Sequence, residues 1–272
     1  MYPLIYLRPS SIDEAVRLLR EHEEARPFSG GMTLITTLKL RLAAPTHLVG
    51  PSRIEALRGI RFENGVLRIG AATRHIEVAQ SATVRKALPA LAALAAQIAD
   101  PQVRHRGTMG GLVANNDPAA DYPAAVLGLD GTVLTDRRHI AAEDFFLGTF
   151  EVALEPDELV TALEFRPPLA AHHEKFRYPA SSYALAGVFA ARLESSARVA
   201  VTGAGPSVFR WREAEAALDA RPGAHLDPAA LDGLFPDEDA MAGDIHASAA
   251  YRANLVHITA VRALAALAKQ ET

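Results

Sequence analysis

The chain has 272 residues, of which 49% are hydrophobic and 22% charged, so it has the composition of a globular protein and the length of two ordinary domains. Its 28 basic and 32 acidic residues give a net charge of −4, which argues against a protein that coats nucleic acid. The absence of cysteine excludes a disulfide, a thiol nucleophile and a cysteine-ligated zinc or iron–sulfur site within this chain, so redox chemistry needs a bound organic cofactor or a partner.

Helix and strand signals alternate over the first hundred residues. Ser11 followed three residues later by Glu14 is a capping box, which predicts the start of a helix. The pair Asn64-Gly65 predicts a hairpin turn between two strands. The predicted elements are, in chain order, a helix over 11–22, a strand end, loop and helix over 27–40, strands over 46–49, 60–62 and 66–71, and helices over 76–81 and 84–98.

Residues 100–121 contain the densest glycine, asparagine and proline of the chain, and they predict a long functional loop. The polar run His172-His173-Glu174 after two prolines predicts a solvated linker at a domain boundary. Strands followed by helices beyond it indicate a smaller α+β domain. The predicted elements are short segments over 124–129, 132–135 and 159–165, paired strands over 183–193 and 197–202, and helices over 209–218, 229–234 and 248–269.

No targeting or membrane segment is evident, and we expect a cytoplasmic protein. The first seven residues lack the basic start of a secretory signal, and no apolar stretch approaches 18 residues without a charge. No carboxylate pair, serine elbow or histidine-rich spacing occurs, so we predict no catalytic residue and no metal ligand in this chain.

Two glycine pairs, Gly30-Gly31 and Gly110-Gly111, are the main candidates for ligand binding. Backbone without side chains lets N–H groups converge on an anion, and two such loops can grip one pyrophosphate from both sides. The alternative is that each pair only makes a tight turn. The chain has no GxGxxG after a strand and no GxxxxGK[ST], so a Rossmann domain and a P-loop are not expected.

Two aspartates follow the second glycine pair, and either can accept a hydrogen bond from a ribose or ribityl hydroxyl. Asp117 precedes Pro118, and a turn or cap residue is the favoured interpretation there. For Asp121, helix capping and ligand contact both remain open.

The run RGTMGG at 106–111, followed by NNDPAADYPA at 115–124, closely resembles the second flavin-binding motif of the FAD-binding (medium) subunits of molybdenum hydroxylases. This family includes the medium subunit of carbon monoxide dehydrogenase and the FAD domain of xanthine dehydrogenase. Residues 29–34, SGGMTL, are similar to its first motif. Further similar stretches lie at 145–148, at 175–180 with 183–184, at 203–206 with 213–215, and at 244–252, so that the resemblance spans nearly the whole chain.

The resemblance implies an α+β architecture with a two-subdomain FAD-binding fold of the vanillyl-alcohol-oxidase (PCMH) type. This fold is expected over residues 1–170, with subdomains at about 1–55 and 56–170. A smaller α+β flavoprotein C-terminal domain is expected over 171–272.

The resemblance also implies roles for individual residues toward FAD. Asp121 takes a ribose or ribityl hydroxyl, Leu159 lies near the flavin edge, Lys175 lies near the polar edge of the isoalloxazine, and Tyr183 covers one ring face. The implied FAD contacts are Ser29, Gly30, Gly31, Met32, Thr33, Leu34, Ile98, Thr108, Met109, Gly110, Gly111, Leu112, Asp121, Leu159, Lys175 and Tyr183.

Three positions depart from the family pattern. Leu112 stands where asparagine is common, Met32 replaces a usual polar residue, and Ser182 stands where many relatives have aspartate. These changes leave all four glycines in place. We therefore expect FAD binding that is weaker than in relatives.

By the resemblance, the chain is an electron-transfer subunit and the chemistry belongs to the cofactor. FAD takes electrons from the [2Fe–2S] clusters of a small partner subunit, which receives them from a large molybdenum-cofactor subunit, and passes them to an external acceptor. The alternatives are a stand-alone flavoprotein reductase or oxidase with a direct donor such as NADH, and a scaffold that has lost FAD.

Overall fold

The computed structural model describes residues 1–221 and 226–270 and has the α+β architecture that the sequence predicts. The strands are β1 Ile5–Leu7, β2 Ala25–Pro27, β3 His47–Val49, β4 Ile60–Glu63, β5 Val66–Gly70, β6 Thr132–Thr135, β7 His139–Ala141, β8 Phe146–Gly148, β9 Glu151–Val152, β10 Val160–Phe165, β11 Ala170–Arg177, β12 Ala184–Arg192, β13 Ala197–Thr202 and β14 Phe209–Arg210. The helices are α1 Ile12–Glu21, α2 Leu34–Lys39, α3 His75–Gln80, α4 Ala82–Ala87, α5 Pro89–Ala96, α6 Pro101–Arg106, α7 Met109–Asn115, α8 Tyr122–Gly128, α9 Ala142–Phe145, α10 Arg212–Asp219 and α11 Ala249–Gln270.

The N-terminal part is a small parallel sheet of strand order β1-β3-β2 with α1 packed on it. Ala15, Val16 and Leu19 form the buried face of α1, because their spacing places them on one side of the helix. The Ser11 hydroxyl accepts from the Glu14 N–H as predicted. The Glu14 carboxylate, however, accepts from the N–H and hydroxyl of Ser10 rather than from Ser11, so the reciprocal half of the box lies one residue earlier.

The middle part is built on an antiparallel sheet of order β4-β5-β10-β6-β7. The predicted hairpin is confirmed, since β4 pairs with β5 in antiparallel register. Asn64 and Gly65 connect them with φ of 52° and 75°, the left-handed conformations that a two-residue turn between twisted strands requires. Helices α3, α4, α5, α7 and α8 contribute buried side chains that form the main hydrophobic core together with this sheet.

The C-terminal part is an antiparallel sheet of order β11-β12-β13-β14, and it includes the paired strands predicted from the sequence. Both faces of β12 are buried. Phe189 and Ala191 belong to the main core, whereas Val188 and Ala190 belong to a second core beneath α10 and α11. Because the sheet contributes to both cores, the predicted parts 1–170 and 171–272 share an extensive apolar contact. The domain limits stay a prediction.

Several predicted elements differ from the structure. Residues 100–121 are not one long loop: Asp100 accepts from the Val103 N–H and caps α6, and Thr108 caps α7. The predicted helix over 84–98 is two helices, because Pro89 has no N–H and starts α5 at its first position. Near the C-terminus, the helix predicted from 209 starts at Arg212 after β14, and 229–234 holds a 3₁₀ turn at Pro228–Leu231.

No helix within residues 1–221 and 226–270 is long and apolar enough to cross a membrane.

Candidate functional site

The first glycine pair lies in the loop that joins β2 to α2. Phe28 donates its N–H to the Val49 carbonyl and so fixes the start of this loop to β3. Gly31 has φ of +73°, and a Cβ atom built on it would lie 2.6 Å from the Phe28 ring. Glycine is therefore required at residue 31 both by backbone conformation and by space.

The same loop presents a row of free backbone donors. The N–H groups of the six residues 29–34 donate to no described residue of the chain. The row runs into the start of α2, where Leu34 is the first helical residue. Consecutive N–H groups without partners are the arrangement that binds phosphates and other anions in proteins.

The second glycine pair forms the first turn of α7, and its N–H groups are already used. Met109 donates to the Thr73 carbonyl and Gly110 to the Ala71 carbonyl, each at 2.9 Å, while Gly111 donates to the Thr108 hydroxyl. A Cβ on Gly110 would lie 2.4 Å from that of Ala71. The structure thus differs from the expectation that both pairs present free N–H groups: at this pair, glycine allows the start of α7 to pack against the end of β5.

The two glycine loops are in direct contact. The Ser29 and Thr108 hydroxyl oxygens are hydrogen-bonded at 2.8 Å. A Cβ on Gly30 would lie 2.5 Å from the Arg106 carbonyl oxygen and 2.6 Å from Gly107 Cα. The absence of a side chain at Gly30 therefore brings the free N–H groups of the first loop beside the second motif.

A buried ion pair lies beyond the second motif, between the start of α8 and β11. Lys175 Nζ donates to Asp121 Oδ2 at 2.8 Å and to the Gln97 carbonyl at 3.3 Å. The Lys175 side chain is fully buried and that of Asp121 is 7% exposed. Burial raises the pKa of the Asp121 carboxyl, and the adjacent Lys175 ammonium opposes that rise.

The structure shows whether the side chain of each of the two aspartates acts as a helix cap or turn residue. Asp121 precedes α8, but its side chain accepts no capping hydrogen bond, so the capping interpretation is wrong for it. The Asp117 carboxylate accepts from the Ala119 N–H at 2.9 Å, as the favoured turn interpretation predicts.

The predicted solvated linker at 172–174 is wrong, because these residues lie inside β11. His173 is buried against Phe189 of β12, and its Nε2 atom lies 3.9 Å from Asp121 Oδ1. Residues 173 and 175 face the same side of the sheet, since side chains alternate along a strand. Sequence reasoning missed His173 and Gln97 at this site; the period-2 spacing of His173 and Lys175 was the available signal.

The other predicted contact residues surround these groups to different degrees. Tyr183, the residue before β12, is 47% exposed. Partial burial of its side chain, together with Asp117 and Asp121, raises the pKa of its hydroxyl. Ile98 and Leu159 are each 5% exposed and belong to hydrophobic cores, which leaves little surface for a ligand. Met32 and Thr33 are exposed, and Leu112 is half-buried. Their contacts with FAD stay predictions.

Two buried histidines are expected to make folding acid-sensitive. Burial, reinforced by Arg104, lowers the pKa of His75 to about 4, and burial, reinforced by Lys175, lowers that of His173 to about 3. The unfolded chain binds both protons near pH 6.5, so this stability is present above pH 6.5 and is lost as the pH falls toward 4. Each histidine contributes a slope of about 1.4 kcal/mol per pH unit.

Urea unfolding at several pH values measures this slope. His75→Gln is expected to remove about half of the histidine contribution, whereas His139→Gln, at an exposed position of β7, leaves the slope unchanged. An unaltered slope in His75→Gln contradicts the assignment.

Among residues 1–221 and 226–270, no group of three or more histidine or acidic side chains is placed to hold a metal ion. The free donors of the first loop are suited to an anionic ligand.

Comparison with known proteins identifies that ligand. Residues 2–167 match the family described as the FAD binding domain in molybdopterin dehydrogenase. The chain belongs to this family. Its cofactor is FAD, and it is an FAD-binding subunit of the molybdenum hydroxylase type.

Sequence similarity to individual relatives extends over most of the chain. The carbon monoxide dehydrogenase medium chain of Hydrogenophaga pseudoflava is 37% identical over 75% of this chain and 76% of its own length. A 6-hydroxypseudooxynicotine dehydrogenase complex subunit alpha of Paenarthrobacter nicotinovorans is 33% identical over 96% of this chain and 93% of its own length. A solved structure of Hydrogenophaga pseudoflava carbon monoxide dehydrogenase superimposes with a TM-score of 0.89 at 34% identity, covering 98% of both chains. The superposition confirms the fold predicted from the sequence. The relatives are dehydrogenases, which confirms the predicted oxidoreductase class.

The residues present fit FAD. The free N–H groups of 29–34 suit its pyrophosphate, because they offer donors without a competing acceptor. Asp121 Oδ1 is buried without a hydrogen-bond partner in the described chain, which suits a hydroxyl donor such as that of a ribityl chain.

Proposed function

We propose that the chain is the electron-transfer subunit of a molybdenum hydroxylase complex. In this assignment it takes electrons from the [2Fe–2S] clusters of a small subunit, which receives them from a large molybdenum-cofactor subunit, and passes them to an external acceptor. The observation that supports it best is the row of free N–H groups at 29–34, held against the second motif, in a chain of the FAD-binding family. A cytoplasmic location stays a prediction.

The names of the relatives motivate the partners. One relative is named a medium chain and the other a complex subunit, so both are parts of multi-subunit enzymes. This chain has no cysteine, so it cannot ligate an iron–sulfur cluster through thiolates of its own. A division of labour, in which a neighbour carries the clusters, is consistent with both observations.

In the proposed mechanism the chain binds and orients while the cofactor reacts. When bound, FAD exchanges one or two electrons at a time. The loop at 29–34 holds the pyrophosphate, and Asp121 accepts a hydroxyl of the ribose or ribityl chain. Lys175, buried beside Asp121, would lie near the polar edge of the ring system, where a cation would favour negative charge. Tyr183, exposed just before β12, would cover one face of the ring system.

Co-purification from the organism that carries the gene tests this assignment. The full chain is tagged at its C-terminus and purified under air-free conditions, and FAD, iron and molybdenum are quantified. We expect iron and molybdenum to accompany FAD in a fixed ratio through size-exclusion chromatography. Recovery of the chain with FAD alone, together with rapid bleaching of its flavin by NADH, would instead establish a stand-alone flavoprotein.

A further inference from the structure

A third buried polar side chain, that of His173, lies behind the Asp121–Lys175 pair. Its Nε2 atom is 3.9 Å from Asp121 Oδ1. Both ring nitrogens and this carboxylate oxygen are buried and have no hydrogen-bond partner in the described chain. Nearly all buried polar atoms in proteins have a partner, and leaving one without costs about 1–3 kcal/mol. Of these three atoms, His173 Nε2 and Asp121 Oδ1 lie next to each other and can act as a donor and an acceptor, which indicates that these two serve one another.

The surroundings keep the imidazole of His173 neutral. Lys175, Arg177 and His172 on its own strand disfavour a second positive charge, Asp121 faces it from α8, and Phe189 of β12 supplies an apolar wall. A neutral imidazole has one N–H to donate. Asp121 Oδ1 is an unpartnered acceptor adjacent to Nε2, so the Nε2–H tautomer matches the site.

The neighbouring strand approaches this ring closely. Gly187 pairs with Lys175 across β11 and β12, and a Cβ on it would lie 3.6 Å from His173 Nε2 and 2.8 Å from Thr202 Cγ2. The His173 ring and the Asp121 carboxylate must approach each other by the roughly 1 Å that separates 3.9 Å from an ordinary hydrogen bond of about 2.9 Å.

We propose that His173 is a positioning residue of the FAD site, which donates Nε2–H to Asp121 Oδ1 while Lys175 donates to Oδ2. The carboxylate is thereby fixed between two donors in the orientation that meets the cofactor. A carboxylate has about four lone-pair sites, so it still accepts a hydroxyl of FAD. This inference rests on the proposed assignment of Asp121 and Lys175 to the FAD site.

Three variants of the full chain test it by FAD titration. His173→Leu removes the donor, His173→Gln restores an N–H at a similar reach, and His172→Leu changes the neighbouring residue on the opposite face of β11. We expect the Kd for FAD to rise about tenfold in His173→Leu, the loss of roughly 1.4 kcal/mol. His173→Gln stays within about threefold of the unmodified chain and His172→Leu is unchanged.

Two results would overturn the proposal: unaltered affinity in His173→Leu, or no recovery in His173→Gln. If the unmodified chain itself fails to bind FAD, the proposed function fails. If the unmodified chain binds FAD and His173→Leu binds it equally well, only the inference about His173 fails. Nitrogen NMR of the unmodified chain with ¹⁵N-labelled histidine needs no variant. We expect a protonated Nε2 at His173, and a protonated Nδ1 would refute the hydrogen bond to Asp121.

Discussion

Replacing Gly30 with alanine is expected to abolish tight FAD binding. The added Cβ would lie 2.5 Å from the Arg106 carbonyl oxygen and 2.6 Å from Gly107 Cα, both backbone atoms that have no rotamer through which to move away. The loop at 29–34 must move away from Arg106 and Gly107, and its free N–H groups move with it. We expect the Kd for FAD to rise at least roughly tenfold, and overpacking to lower the free energy of unfolding by about 1–3 kcal/mol.

Two further variants calibrate this prediction. Gly243→Ala is the matched control, because its Cβ would lie 3.8 Å from the Ala249 nitrogen, an ordinary contact. Ser29→Ala removes the hydroxyl bond to Thr108 without adding volume, and a smaller loss of affinity is expected. An FAD affinity in Gly30→Ala within twofold of the unmodified chain, with its circular dichroism unchanged, would contradict the role given to the loop contact.

Replacing Lys175 with methionine is expected to destabilise the fold strongly and in a pH-dependent way. The variant leaves the Asp121 carboxylate buried without its cation, a change that typically costs about 3–5 kcal/mol. Burial then raises the pKa of that carboxyl without opposition from Lys175. Because the folded pKa lies above the unfolded one, the deficit relative to the unmodified chain is largest at neutral pH and shrinks on acidification.

Urea unfolding of matched variants measures this deficit. Combining Asp121→Asn with Lys175→Met removes the unpaired charge, so the double variant is expected to recover part of the loss. Lys39→Met, at the exposed end of α2, is the control and is expected to stay within about 0.5 kcal/mol. A deficit that does not vary between pH 7 and pH 5, or a double variant as unstable as Lys175→Met, would show that the pair does not have the charge state assigned to it.

Local sequence signals predicted those parts of the site whose geometry is local. Asn64-Gly65 requires left-handed backbone, and the hairpin follows from that requirement alone. The first glycine loop was predicted from its glycine pair, and Gly31 does adopt a left-handed backbone conformation, with φ of +73°, that other residues rarely adopt.

The segment 100–121 was misjudged because its glycines and prolines serve helices there instead of breaking them. Pro101 occupies the first position of α6, where its missing N–H costs nothing. Gly110 lies in the first turn of α7 and permits close packing against Ala71. The position of a proline or glycine within an element, and not its presence, decides what it does.

The buried pair could not be derived from the sequence pattern. Asp121 and Lys175 are 54 residues apart, and they meet because β11 packs beside the start of α8. His173 was assigned to a linker, since adjacent polar residues after two prolines resemble a solvated segment. Only the pairing of β11 with β12 shows that it faces inward.

The central claim is that the free N–H groups of 29–34 hold the pyrophosphate of FAD, and titration of the full chain with FAD and with riboflavin tests it most directly. Riboflavin has the ring and the ribityl chain but lacks both the pyrophosphate and the adenosine of FAD, so the effect of Gly30→Ala on the preference isolates the part that depends on the loop. Charge-assisted hydrogen bonds contribute about 1.5–3 kcal/mol each, so losing two of them predicts a preference for FAD of at least about 100-fold. Gly30→Ala is expected to lose most of this preference. Equal affinity of the unmodified chain for riboflavin and FAD would contradict the account.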